Sequence, residues 1–175
     1  MPTIFTHPAI ALTKTCFPRV PRAAYALGAL ASILPDCDVI AFKLGIPYES
    51  TFGHRGFSHS ILFALLVATL FTFLVRTPSR RTTFAFLFLC AVSHPLLDAL
   101  TNGGLGVALL SPFSNVRYFA PWRPIRVSAI GQRFFSPRAI ATLTSELLWV
   151  WLPCVTVALL GKHFAHRKRE VGKEG

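Results

Sequence analysis

Acidic residues are scarce in this chain: seven in 175 positions, three of them aspartates (Asp36, Asp38, Asp98). Charge of either sign is thin at 14%, against about 25% in ordinary soluble domains. The four cysteines (Cys16, Cys37, Cys90, Cys154) lie far apart with no C-x-x-C pair, which excludes a zinc ribbon and argues against a disulfide frame. No G-x-S-x-G elbow is present, so the sequence offers no sign of a serine hydrolase nucleophile. The start, M-P-T-I-F-T-H-P, lacks the basic lead and apolar core of a signal peptide. No internal repeat is visible.

What fills the chain is apolar: 53% hydrophobic residues and a mean hydropathy of +0.53. The net charge of +11 would suit nucleic acid if it formed a soluble basic face. Here the basic residues flank apolar runs instead, the pattern of a membrane protein with basic loop ends, and no nucleic-acid partner is expected. The expected fold is all-α: a single polytopic membrane domain over 1–175 with about four transmembrane helices near 23–42, 57–75, 83–100 and 139–161. A short N-terminal helix precedes them, a Gly- and Pro-rich connector spans 101–138, and a basic tail spans 162–175. Pro35 should break the first span near Leu34. Lys and Arg divide eleven to seven between the two sets of loop ends, which favours a cytoplasmic Ala23 and tail.

The polar residues are concentrated. L-P-D-C-D (34–38), T-F-G-H-R-G-F-S-H-S (51–60) and S-H-P-L-L-D (93–98) hold every aspartate and three of the six histidines. With alternating spans, all three motifs and Glu146 fall at one membrane face, the extracytoplasmic one in this orientation. Imidazoles and carboxylates are the ligands of zinc and related divalent ions. His94 and Asp98, four apart, share a helix face, and Asp36 and Asp38 straddle a helix break. Ionisable groups at membrane depth are costly and mark function. The candidate ligands are therefore Asp36, Asp38, His54, His59, His94 and Asp98, with His7 joining them if the N-terminal segment dips in from the same face.

Bland alternatives stand beside this reading: a cap for His59 and Ser60, or a polar core in which Arg55 pairs with an aspartate. Ser58 and Ser93 are candidate donors to ligands. Arg55, Arg117 and Arg123 are candidates to hold an anionic headgroup or developing charge. Glu146 could be a ligand, a general acid or base, or the partner of a connector arginine. Arg55 and Glu146 are the catalytic candidates.

An early histidine, L-P-D-x-D, H-R-G-x-[ST]-H-S and S-H-x-x-x-D, in this order, resemble the YdjM-like family from His7 through Glu146. The resemblance implies an inner-membrane metal-dependent hydrolase, LexA-linked in some members, with His7, Asp36, Asp38, His54, His59, His94 and Asp98 as metal-site residues. His94-x-x-x-Asp98 is also similar to a pair in the zinc-dependent phospholipase C and P1 nuclease group. The expected cofactor is one or two divalent ions, zinc foremost, and the expected partners are membrane lipids and a lipid or phosphoester substrate. The rivals are a non-enzymatic membrane module with a structural metal or salt-bridge cluster, an adaptor, and an ion-conducting subunit. The last would need polar residues through the full membrane depth.

Overall fold

A computed structural model of the chain describes residues 1–128 and 138–171. Part of the predicted connector, including Arg133, and the end of the basic tail, including Lys173, lie outside the described residues. Among those described there is no strand, only two isolated bridges, Thr101 with Ile125 and Val107 with Tyr118. The fold is all-helical, as expected.

A 3-10 segment, His7–Cys16, opens the chain with a proline in its first turn, where the missing N–H costs nothing. Helix α1 (Arg22–Ile33) ends two residues before Pro35, whose ring disfavours a continuing α-helix. The chain tightens there into a 3-10 turn, Leu34–Val39, and α2 (Ile40–Lys43) completes the run. After a loop and a short 3-10 turn at Phe57–His59, α3 (Ile61–Leu74) begins where Ser60 Oγ accepts from Phe63 N. Helix α4 (Arg80–Ala99) is capped by Ser79 and carries Pro95 inside it. Helix α5 (Arg138–Glu146) passes through a π-helical stretch, Leu147–Trp151, into α6 (Leu152–Val171).

Among the described residues, three helical runs are long and apolar enough to cross a membrane: Arg22–Lys43, Arg80–Ala99 and Arg138–Arg167. The span expected near 57–75 is shorter than its hydropathy suggests, because the Ser60 cap starts α3 at Ile61 rather than Phe57. Its 14 residues reach about 21 Å, short of the roughly 30 Å hydrocarbon core. It pairs with α4 as a hairpin.

In lipid, helices associate by close packing rather than by escape from water. The interior is accordingly made of small residues against aromatic ones: Ala11, Ala24, Ala31, Ala64 and Ala68 around Phe71, Phe86 and Leu87. Gly28 is the closest approach, since a Cβ there would lie 2.9 Å from the Phe86 ring. Gly28→Val should force α1 from α4 and cost about 1–3 kcal/mol. Thermal unfolding in detergent will register this, and an unchanged melting temperature would refute the close α1–α4 contact.

Candidate metal centre

The end of α1, the histidine-rich turn before α3 and the end of α4 meet at one end of the bundle, and the N-terminal segment enters between them. The 3-10 turn decides how the two aspartates are used. At three residues per turn, positions two apart point about 120° away from one another, so Asp36 and Asp38 serve different neighbours. Asp36 is buried with Oδ1 3.3 Å from His94 Nε2 and 3.8 Å from His59 Nε2. Asp38 faces outward, with Oδ1 2.6 Å from His54 Nδ1 and Oδ2 3.0 Å from His59 Nδ1. Ser58 Oγ donates to Asp38 Oδ2 at 2.5 Å, and so does the Arg55 backbone N–H at 3.1 Å.

These partners fix the histidine tautomers. His94 Nδ1 lies 2.7 Å from the Ser32 carbonyl, which only accepts, so Nδ1 carries the proton. The Nε2 of a neutral His94 is then a bare lone pair. His59 Nδ1 likewise donates to Asp38, and in a neutral His59 the Nε2 is then bare. The two Nε2 atoms face one another at 3.0 Å, with Asp98 Oδ2 3.5 Å from His59 Nε2. His7 stacks on His94 with ring centroids 3.8 Å apart, and its Nε2 is 3.9 Å from Asp98 Oδ1.

Arg55 closes the cluster from the far side. It sits at φ +61°, a left-handed conformation that a non-glycine residue adopts only under constraint. The constraint is visible: its N–H serves Asp38, its carbonyl accepts from Ala108 N, and its guanidinium, 1% exposed, lies against Asp98. Arg55 Nε is 2.9 Å from Asp98 Oδ2, and the other guanidinium nitrogens donate to the Gly103 carbonyl and Thr101 Oγ1. Gly104, at φ +87°, keeps the space beside that guanidinium open, since a Cβ there would lie 2.6 Å from it.

The cluster is short of donors. Among the described residues, both oxygens of Asp36 and both ring nitrogens of His7 are buried without a hydrogen-bond partner, and beyond the Arg55 pair Asp98 has no hydrogen-bond partner. Buried polar atoms are nearly always satisfied, so such a set marks a place for a cation or protons. Three carboxylates against one guanidinium leave two negative charges if the imidazoles are neutral. The Met1 amine is 3.9 Å from Asp98 Oδ1, but burial pushes its pKa down to about 6, so it is largely uncharged at neutral pH. One divalent cation or two imidazolium protons would balance the cluster. Three overlapping groups have ligand atoms close enough to share an ion: His7, His94 and Asp98; Asp36, His59 and His94; Asp38, His54 and His59. All seven candidate ligands thus come together.

Other candidates are placed elsewhere. Glu146, 1% exposed, belongs to none of these groups and meets no connector arginine among the described residues. Its carboxylate accepts from Thr3 N at 2.5 Å and from the hydroxyls of Thr3 and Thr6 at 2.7 Å each, and Trp151 Nε1 donates to the same Thr6 hydroxyl. Arg117 pins the histidine turn through the carbonyls of His54, Arg55 and Tyr48. Arg123 lies over the Phe119 ring. Ser93 donates back to the Cys90 carbonyl within α4 and supports no ligand, whereas Ser58 does. Sequence reasoning missed Thr3, Thr6 and Thr101. Threonines in such runs carry no chemical motif, and only a buried carboxylate or guanidinium without a partner could have pointed to them.

Apolar helices long enough to span, around a buried histidine–aspartate cluster, define a multi-pass membrane protein with residues that could hold a metal. The chain belongs to the YdjM inner membrane protein family, whose model matches residues 1–169. It is 42% identical over 164 residues to the inner membrane protein YbcI of Escherichia coli K12, covering 87% of this chain and 92% of that one. It is 34% identical over 103 residues to the uncharacterized protein YvsG of Bacillus subtilis 168, covering 55% of this chain and 61% of that one. No solved structure matches. The protein is thus a multi-pass protein of the bacterial inner membrane.

Proposed function

We propose that this protein is a metal-dependent hydrolase embedded in the membrane, acting on a phosphoester or other ester of a lipid or amphipathic substrate. The observation that carries the reading is the convergence of buried ligand-type atoms: the Nε2 atoms of His59 and His94, 3.0 Å apart, beside Asp98 and beside Asp36, whose two oxygens have no hydrogen-bond partner. This donor set suits zinc. His59, His94 and Asp36 would hold one ion, and His7 and Asp98 with His94 would take part in a second or a shared one. Asp38 is better suited to the outer role: it holds His59 by Nδ1, the carboxylate–histidine arrangement that fixes a ligand's tautomer, and His54 and Ser58 hold Asp38. Arg55 keeps Asp98 aimed into the cluster. A divalent ion supplies Lewis acidity toward an ester and an activated water at neutral pH. Asp38, the least buried of the seven, marks the side from which substrate would enter, the extracytoplasmic side by the basic-residue count.

The second reading is a helix staple, and the complete burial of His7, His59, His94 and Asp98 favours it. A structural metal keeps a closed ligand shell, whereas a catalytic one leaves a position open. The deciding experiment is elemental mass spectrometry of detergent-purified protein, beside the Asp36→Ala, His94→Ala double variant. About one or two equivalents of a divalent transition metal are expected, lost in the variant, followed by chelator-sensitive turnover in a phosphoester screen. A loaded protein that turns over no ester would leave the staple. A folded, metal-free wild type would end both metal readings.

A further inference from the structure

At the opposite end of the α3–α4 hairpin the chain builds a second feature, unconnected with the histidines. A cavity of about 310 Å³ opens between the two helices, lined by Thr69, Thr72 and Phe73 of α3 and by Arg80, Arg81 and Phe84 of α4. Arg80, at its mouth, lies 14 residues before His94 on α4, about 21 Å along the helix axis. Its walls are apolar, and its mouth carries two arginines at the first residues of a spanning helix, the depth of lipid phosphates. Arg80 is laid over the Phe73 ring, 5.3 Å from its centroid, which holds the guanidinium at the groove rather than out in water.

Among the described residues no carboxylate pairs with the arginines at this mouth. The first turn of α4 contains no acidic residue, and the buried arginine–carboxylate pair described above employs Arg55. Two cations at a helix N-terminus also oppose the helix dipole, which favours an anion there. An apolar groove ending in two such arginines complements a molecule with one anionic phosphate and long apolar chains. We infer that the groove between α3 and α4 is a binding site for an anionic diacyl phospholipid, its phosphate on Arg80 and Arg81 and an acyl chain along Phe73 and Phe84. This inference is independent of the metal reading.

The test is native mass spectrometry of delipidated, detergent-purified full-length protein titrated with phosphatidylglycerol or phosphatidylcholine of identical chains. Wild type should prefer phosphatidylglycerol, and the preference should fall about five-fold for each of Arg80→Gln and Arg81→Gln. Arg19→Gln with Arg22→Gln, an exposed pair at the same end of the bundle, should leave it unchanged. Thr69→Trp, which fills the groove and keeps both charges, should lower phosphatidylglycerol binding. Equal binding of the two lipids would overturn the site. An equal loss in the Arg19, Arg22 control would reduce it to general attraction by basic residues, and indifference to Thr69→Trp would remove the groove from the account.

Discussion

Asp98→Leu is expected to cost about 3–5 kcal/mol of folding stability in the presence of chelator, because it leaves Arg55 charged and buried without a carboxylate. The pair is 1% and 0% exposed, so water cannot take over. Adding Arg55→Met should restore a substantial part of the loss, since an apolar pair of similar volume is often no worse than a buried ion pair. The coupling between the two substitutions, measured by thermal unfolding of both singles and the double in detergent, isolates the interaction. Additive losses would mean that Arg55 is held by Thr101 and Gly103 and owes little to Asp98. Chelator matters here, because Asp98 is also a candidate ligand and a bound metal would add its own contribution.

Glu146→Ala is expected to free the N-terminal segment. Three donors lose their acceptor at once: the Thr3 amide and the Thr3 and Thr6 hydroxyls. Hydrogen bonds to a charged group contribute about 1.5–3 kcal/mol each. They act here as one unit, so the whole loss should be less than their sum. Hydrogen exchange of residues 3–13 should accelerate strongly, while the amides of α4 should keep their protection. Glu146→Gln, which retains one carbonyl acceptor, should fall between. If exchange in the N-terminal segment is unmoved by Glu146→Ala, the segment is held by packing on α1 and α6 instead. Because His7 sits one residue beyond Thr6, any metal group that includes His7 should weaken in the same variant.

Much of the site was readable because its chemistry is confined to three short motifs in an apolar chain. Aspartates and histidines with no other occupation in lipid have to find one another, and alternation of spans put them at one end. The Pro35 break was readable for the same local reason. What the residues alone did not reveal is long-range pairing. Arg55 reads equally as a cation for a substrate or as the partner of an aspartate, and only the fold shows that partner to be Asp98, 43 positions later. Glu146 reads as a ligand, a general acid or base, or the partner of an arginine, and none of these foresees the Thr3 and Thr6 donors around it. The start of α3 was misplaced because hydropathy counts Phe57 as membrane, whereas Ser60, readable as a cap, sets the boundary by accepting from Phe63. Arg117 was read as a headgroup binder, yet its carbonyl partners belong to a turn whose shape only the fold creates.

The latch between Thr3 and Glu146 joins positions 143 residues apart, and this imposes an order on biosynthesis. At about 5–20 residues per second, the ribosome needs roughly 7–30 s after making Thr3 before Glu146 exists. Throughout that interval α1, α3 and α4 can insert and pair, and the segment carrying His7 can rest on α1 and α4, but it lacks its contacts with α6 and with Glu146. The segment that brings His7 to the cluster is therefore latched only when the helix carrying Glu146 arrives, so the finished site reports that this helix has taken its place.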